Sequence, residues 1–169
     1  TLPDINDFSI AVLQNNNVQL TWNRYADFTD GTEIAAGNYT LKATYGNIET
    51  QGFEAPYYEG AKEFSIKKNE STNISVICYL ANVKVTTEYT ELFKKYFTDY
   101  TVNIRPAGST DISFDKNETR AAYVKPGKIS IYLSGSKQQG NKVTFEAATI
   151  ENAKARQHYR LKFDVQAGG

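Results

Sequence analysis

The side chains able to carry chemistry are few and scattered. Cys78 is the one cysteine and His158 the one histidine, and they lie far apart in sequence. A nucleophilic thiol needs a base at hand and an electropositive setting that favours the thiolate. Cys78 sits instead inside Ile74-Ser75-Val76-Ile77-Cys78-Tyr79-Leu80, an apolar run in which a free cysteine behaves as a small core hydrophobe. His158, beside Arg156, Tyr159 and Arg160, has no Cys, Asp or Glu near it in sequence and reads as structural rather than as a metal ligand. Asp27, Asp30 and Glu33 fall in a loop with Gly31, and their oxygens suit calcium. Their spacing departs from the EF-hand pattern, so they read as a solvated turn. No phosphate loop, nucleophile elbow or His-Glu-x-x-His zinc motif is present, and no pair of catalytic carboxylates stands out among the acidic residues. The expectation is a protein that is not an enzyme, with no catalytic residue, no metal and no cofactor.

Aromatic residues offer the other chemistry. The chain holds 12 Tyr and 9 Phe against one Trp. An aromatic ring at a strand end or in a loop gives a flat, weakly polar platform for a sugar or a protein partner. Trp22, Tyr25, Tyr57 and Tyr58 are the candidate binding residues on this ground. Trp22 and one of the adjacent tyrosines also suit the interior. If the segment is extended, Tyr57 and Tyr58 point to opposite faces, so one of them should be exposed.

The elements that must position these residues have a period of two. In Asn38-Tyr39-Thr40-Leu41-Lys42-Ala43-Thr44-Tyr45, the residues Tyr39, Leu41, Ala43 and Tyr45 share one face, and Thr40, Lys42 and Thr44 share the other. That alternation predicts a half-buried strand. Further strands are predicted at 8–13, 18–22 and 64–67, with a turn at Asn15-Asn16-Asn17, and a long one over 74–87, rich in Val, Ile and Thr. In the second half the candidates are 100–105, 112–114, 120–124, 128–133, 142–145 and 159–165. Lys125-Pro126-Gly127 and Ser134-Gly135-Ser136 are read as turns, and 151–156 as a loop or helical turn. One short helix is predicted at about 88–97, where Tyr89, Leu92, Phe93, Tyr96 and Phe97 recur at helical spacing and the acidic residues precede the lysines. Short strands with frequent turns predict an all-β protein of two tandem small sandwich domains, 1–84 and 85–169.

Charge supports that division. Lys+Arg and Asp+Glu number 19 each, so no whole-chain field draws a nucleic acid. Residues 1–83 carry 5 basic and 10 acidic side chains, net −5, and residues 84–169 carry 14 and 9, net +5. An acidic module followed by a basic one permits head-to-tail contact. No apolar run approaches the roughly 20 residues that span a bilayer. There is no Met, which places a signal peptide and lipid anchor, if present, upstream of this sequence.

A family resemblance enters through three ordered stretches. They are Ala36-Gly37-Asn38-Tyr39-Thr40-Leu41-Lys42-Ala43-Thr44-Tyr45-Gly46, then Phe53-Glu54-Ala55-Pro56-Tyr57-Tyr58-Glu59-Gly60, then Cys78-Tyr79-Leu80-Ala81-Asn82-Val83-Lys84-Val85. Together they resemble the Bacteroidetes domain of unknown function DUF4493, from about Ile34 to the end, including Ala155 to Phe163. More distantly, the Ala-Gly-x-Tyr-x-Leu and Ala-Asn-Val-Lys-Val strands are similar to those of fimbrillin-type pilus subunits and tip proteins. The resemblance implies transthyretin-like or Ig-like sandwich domains and a lipoprotein on the extracellular face of the outer membrane. Its lipid anchor would lie outside this chain. It implies a fimbrillin-like adhesion or assembly module that pairs with other surface proteins or pilus subunits by strand complementation, the candidate edges being 8–13 and 159–165. The alternative is an accessory lipoprotein binding a glycan or peptide beside a SusC/SusD-type uptake system.

Overall fold

The structure, a computed structural model, describes residues 1–166. The chain divides into two compact units. The first comprises Thr1–Asn47 and Tyr57–Ala81, and the second Ile48–Pro56 together with the residues from Asn82 onward. This differs from a single division after residue 84 in two ways. A nine-residue excursion, Ile48–Pro56, belongs to the second unit, and the crossover falls at Ala81-Asn82. Among the described residues no helix is long and apolar enough to cross a membrane.

The first unit is one antiparallel five-stranded sheet in the order β2-β1-β3-β5-β6. Its strands are β1 (Ser9–Gln14), β2 (Asn17–Trp22), β3 (Gly37–Tyr45), β5 (Tyr58–Ile66) and β6 (Tyr79–Leu80). The β1–β2 hairpin turns through Asn15 and Asn16 at φ of 52° and 63°. Two consecutive left-handed residues match the right-handed twist of the flanking strands, and Asn tolerates that conformation. The predicted β3 alternation holds, with Tyr39 and Ala43 buried on the face that also carries Ile10 and Val12 of β1.

The long strand expected over 74–87 is not one strand. Residues 71–78 have no ladder partner, β6 is two residues long, and a new strand starts at Val83 in the second unit. The segment is extended and its burial alternates, which is why its composition reads as strand. At Ile77-Cys78 it crosses β5 and β3 instead of pairing with them. A Cβ on Gly60 of β5 would lie 2.2 Å from the Ile77 carbonyl oxygen, so only glycine admits that crossing. Cys78 Sγ lies 3.8 Å from the Ala43 carbonyl oxygen on the same face. The break itself is fixed at Asn82, a buried side chain whose amide donates to the Ala55 carbonyl at 3.1 Å.

The second unit is a two-sheet sandwich. One sheet runs β13-β7-β10-β4 and the other β12-β11-β8-β9. The strands are β4 (Gly52–Phe53), β7 (Val83–Tyr89), β8 (Phe97–Pro106), β9 (Ile112–Asp115), β10 (Ala122–Val124), β11 (Gly127–Lys137), β12 (Lys142–Ala153) and β13 (His158–Phe163). Their inward residues, among them Val83, Val85, Val102, Ile104, Phe114, Val124 and Ile129, are fully buried. Each such side chain contributes about 1.5–3 kcal/mol by leaving water. β13 pairs with β7 in parallel, and every other pairing in the unit is antiparallel.

The helix α1 spans Glu91–Tyr96, shorter than 88–97, because β7 runs on to Tyr89 opposite Phe163. Thr90 caps it, its hydroxyl accepting from the Phe93 N–H at 3.2 Å. Ser134-Gly135-Ser136 is not a turn but part of the β11 ladder, near its end. Gly135 stands there because the Phe97 ring fills the place of its side chain, 2.7 Å from where a Cβ would be. The strand β12 continues to Ala153, so 151–153 is ladder rather than loop.

Candidate functional site

The four expected aromatic residues fall into separate groups in the first unit. Trp22 ends β2 opposite Ile10, and its ring meets Phe28 edge to face at 5.1 Å. Tyr25 lies in a 3-10 turn, Tyr25–Asp27, with its ring parallel to Phe28 at 6.1 Å. The turn is pinned by the Tyr25 N–H, which donates to the Phe8 carbonyl at 2.7 Å, and by an Arg24–Asp7 ion pair at 3.0 Å. Tyr25 and Phe28 remain 42% and 39% exposed, so Trp22, Tyr25 and Phe28 form a partly open shelf. Phe28 escaped the sequence reading, although aromatic residues at 22, 25 and 28 recur every third position.

Tyr58 belongs to another group, with its ring 6.3 Å from Phe8 and 6.5 Å from Tyr45. Tyr57 turns away from it, as extended backbone requires, and donates to Glu59 Oε2 at 2.7 Å. Burial first, then that hydrogen bond and the negative charge of Glu59, push the Tyr57 hydroxyl up to about 12. Both tyrosines are half-buried.

The remaining polar candidates are dispersed. The Cys78 thiol is pushed up by burial and by the charge of Glu59, away from the thiolate. His158 Nε2 lies 2.6 Å from Thr86 Oγ1, and burial, then Arg160 and Lys84, hold its pKa below the ordinary value. Asp27, Asp30 and Glu33 stay on an exposed loop, and among the described residues no group of three or more His, Cys, Asp or Glu is placed to hold a metal ion.

A concavity lies in the second unit, between two edge strands. The strands β12 and β13 end their respective sheets, and a groove of about 680 Å³ opens between them. Phe97 and Leu133 line its floor, Val143 and Phe145 of β12 one wall, and Leu161 and Phe163 of β13 the other. Phe145 explains why it is open. It stands directly opposite Leu133 in the ladder and so shares the core-facing side, yet Leu133 is 3% exposed and Phe145 48%. An inward aromatic residue with no side chain laid over it marks a seam the sandwich does not close. Lys137, Arg160 and Lys162 rim the groove, and Lys137 Nζ sits 5.7 Å from the Tyr96 ring. Asp164 is the acidic member, and its carboxylate accepts from Thr90 Oγ1 at 2.6 Å and from the Val165 N–H at 2.9 Å. Those bonds, with Lys162 nearby, lower its pKa. Of the two candidate edges, 159–165 is the edge strand β13 that walls this groove, whereas 8–13 is β1, which lies between β2 and β3 and is no edge. No sequence signal marks the β12 wall, because the two walls are not paired with each other.

No curated protein matches the sequence. The chain is similar to a solved structure described as a candidate adhesin from Bacteroides ovatus, with 13% identity, a TM-score of 0.45, and coverage of 95% of this chain and 80% of that one. A second candidate adhesin, from Bacteroides ovatus ATCC 8483, shows 10% identity and a TM-score of 0.40 over 99% of this chain and 90% of its own. The model of the domain of unknown function DUF4493 matches residues 1–169, and the chain belongs to that family.

Proposed function

We propose that this chain is a non-enzymatic adhesion or assembly module on the surface of a Bacteroides-type bacterium, lipid-anchored at the outer face of the outer membrane. It holds a partner by accepting an extended strand in the open seam of its second unit. The observation that carries this reading is the exposed Phe145 on the core-facing side of β12, across a groove from the bare edge strand β13. A bare edge offers unpaired backbone N–H and C=O groups, and an apolar trough beside it takes alternate side chains of the incoming strand. Backbone bonds then give affinity and the trough sets register. The test is amide exchange on the full chain with peptides that alternate apolar and polar residues. Protection along one free edge of β12 or β13, lost in Phe145→Glu, is expected. Binding that leaves both edges unprotected overturns strand addition. Labelling of intact cells with a membrane-impermeant reagent checks the surface placement, and a chain reached only after lysis overturns it.

A second reading rests on the Trp22–Tyr25–Phe28 shelf. Here the chain is an accessory lipoprotein that stacks a glycan or peptide on that shelf beside a SusC/SusD-type uptake system. Glycan-array binding that disappears in Tyr25→Ala while Phe145→Glu leaves it intact would select it.

A further inference from the structure

We propose that the strand accepted by the seam alternates apolar with acidic residues and pairs with β13 rather than β12. This rests on the strand-addition reading and names the partner it takes.

The choice of edge comes from regularity. All six β13 residues pair with β7 in unbroken register, so the ladder geometry of the strand is continuous along its length. The pairing of β12 with β11 is interrupted twice, between Gly127 and Ile129 and between Ile131 and Tyr132. Bulges bend a strand and throw its free N–H and C=O groups out of line, which is how edges are made poor partners. Of the two strands flanking the groove, β13 is regular along its whole length, whereas β12 keeps an unbroken ladder only over Lys142–Glu146 and is bulged beyond it.

The chemistry of the partner follows from what β13 presents. Leu161 and Phe163 pack toward the core beside the groove, while Arg160 and Lys162 alternate with them as exposed side chains at its rim. A strand laid against β13 sends its apolar residues into the groove and its alternate residues out beside Arg160 and Lys162. Directly opposite side chains in a ladder are neighbours, with Cβ atoms about 5 Å apart, and opposite charges there are favourable while like charges repel. Among the described residues neither Arg160 nor Lys162 takes part in an ion pair, and nor does Lys137 at the rim. The one carboxylate at the rim, Asp164, is occupied by Thr90 and the Val165 N–H. The two cations on β13 are two residues apart, the same period at which a strand presents side chains on one face. On β12 the outward charged side chains beside the groove are Lys142 and Glu146, which offset each other, so that edge offers an acidic strand no net attraction. Charge and ladder geometry thus select the same edge.

The test uses the full chain and three ten-residue peptides, Val alternating with Glu, with Thr or with Lys, each carrying a fluorophore. Anisotropy titration at low salt is expected to rank them Glu, Thr, Lys. Glu should bind about tenfold tighter than Thr, from two favourable cross-strand pairs. The margin shrinks as salt rises. Amide exchange should show protection on β13 and none on the free edge of β12. The double variant R160E/K162E, altered only on exposed side chains, should reverse the ranking so that the Lys peptide binds best, and that gain shows the variant is folded. Equal binding of the Glu and Thr peptides with β13 protected overturns the acidic preference and leaves strand addition standing. Protection confined to β12 overturns the choice of edge. Failure of all three peptides to protect either edge overturns strand addition and this inference together.

Discussion

In the second unit two four-stranded sheets close on each other and bury side chains such as Val102, Ile104 and Phe114 completely. In the first unit a single five-stranded sheet is crossed at Gly60 by a segment that makes no ladder, and its most buried residues, such as Tyr39 and Ala43, keep a trace of exposure. A sheet lid has its own hydrogen-bond network to hold it in place. The unladdered segment is held by side-chain packing, the close crossing at Gly60 and the Cys78 thiol against the Ala43 carbonyl. The difference teaches where each unit is vulnerable: the second in its core and along its seam, the first in its crossing segment. Local opening follows low contact density and unpaired backbone, so residues 71–78 should exchange amide protons long before β7 or β11.

That contrast can be broken most directly in the second core. Phe114 is fully buried and meets the Phe53 ring edge to face at 5.0 Å. Phe114→Ala should cost about 3–5 kcal/mol, read as a lower denaturant midpoint with fast exchange in β8 and β11. A loss below about 1 kcal/mol would mean the sandwich tolerates a cavity and is not the tighter unit. Gly60→Ala sharpens the other side. The added Cβ meets backbone at Ile77, which cannot rotate away, so the segment must lift, at about 1–3 kcal/mol. Exchange should accelerate over 74–80 and stay unchanged in β7 and β11, and unaltered exchange over 74–80 would show that the crossing does not hold the segment.

The smallest effect is electrostatic and also lies in the first unit. The Tyr57 hydroxyl should titrate at about 12, followed by NMR of tyrosine labelled at the ring carbon. Its value in the folded chain is above the ordinary 10.0, so the folded state holds the proton longer than the unfolded state. The contribution of Tyr57 to stability is therefore present below pH 10 and is lost as pH rises from there through the folded value. Glu59→Gln removes the charge and weakens the hydrogen bond, so the value should fall but stay above 10.0, because burial is the largest cause. A Tyr57 that titrates at 10.0 in both proteins would place it in solvent.

Much of the fold was legible where the signal is local. The alternation of Tyr39 to Tyr45 named a strand and its buried face, and paired asparagines named the hairpin turn. A helix around Phe93 is also correct, but not its apolar stripe: Tyr89 and Phe97 lie in strands, Leu92 and Tyr96 are exposed, and Phe93 alone is buried in the helix. Illegible were the features set by partners. A period of two reports which face a residue presents, not whether its backbone is paired, so Ile74–Cys78 and Val83–Thr87 looked alike. Gly135 looked like a turn because only the Phe97 ring, 38 residues away in sequence, explains it. The four aromatic candidates stand out in the sequence only by their position near strand ends. The shelf required Phe28 and the groove required Phe145, and the significance of each depends on a neighbour supplied by the fold.

The excursion of Ile48–Pro56 has a consequence for inheritance. The chain passes from one unit to the other three times, so no single cut separates them. A gene fragment beginning at Asn82 would encode a sandwich without β4, leaving β10 with one of its two neighbours and Phe114 without the ring of Phe53. A fragment ending at Asn47 would encode a sheet lacking β5 and β6. Modules that end cleanly can be shuffled by recombination one at a time. These two are interleaved, so they must be duplicated, transferred or lost as a pair.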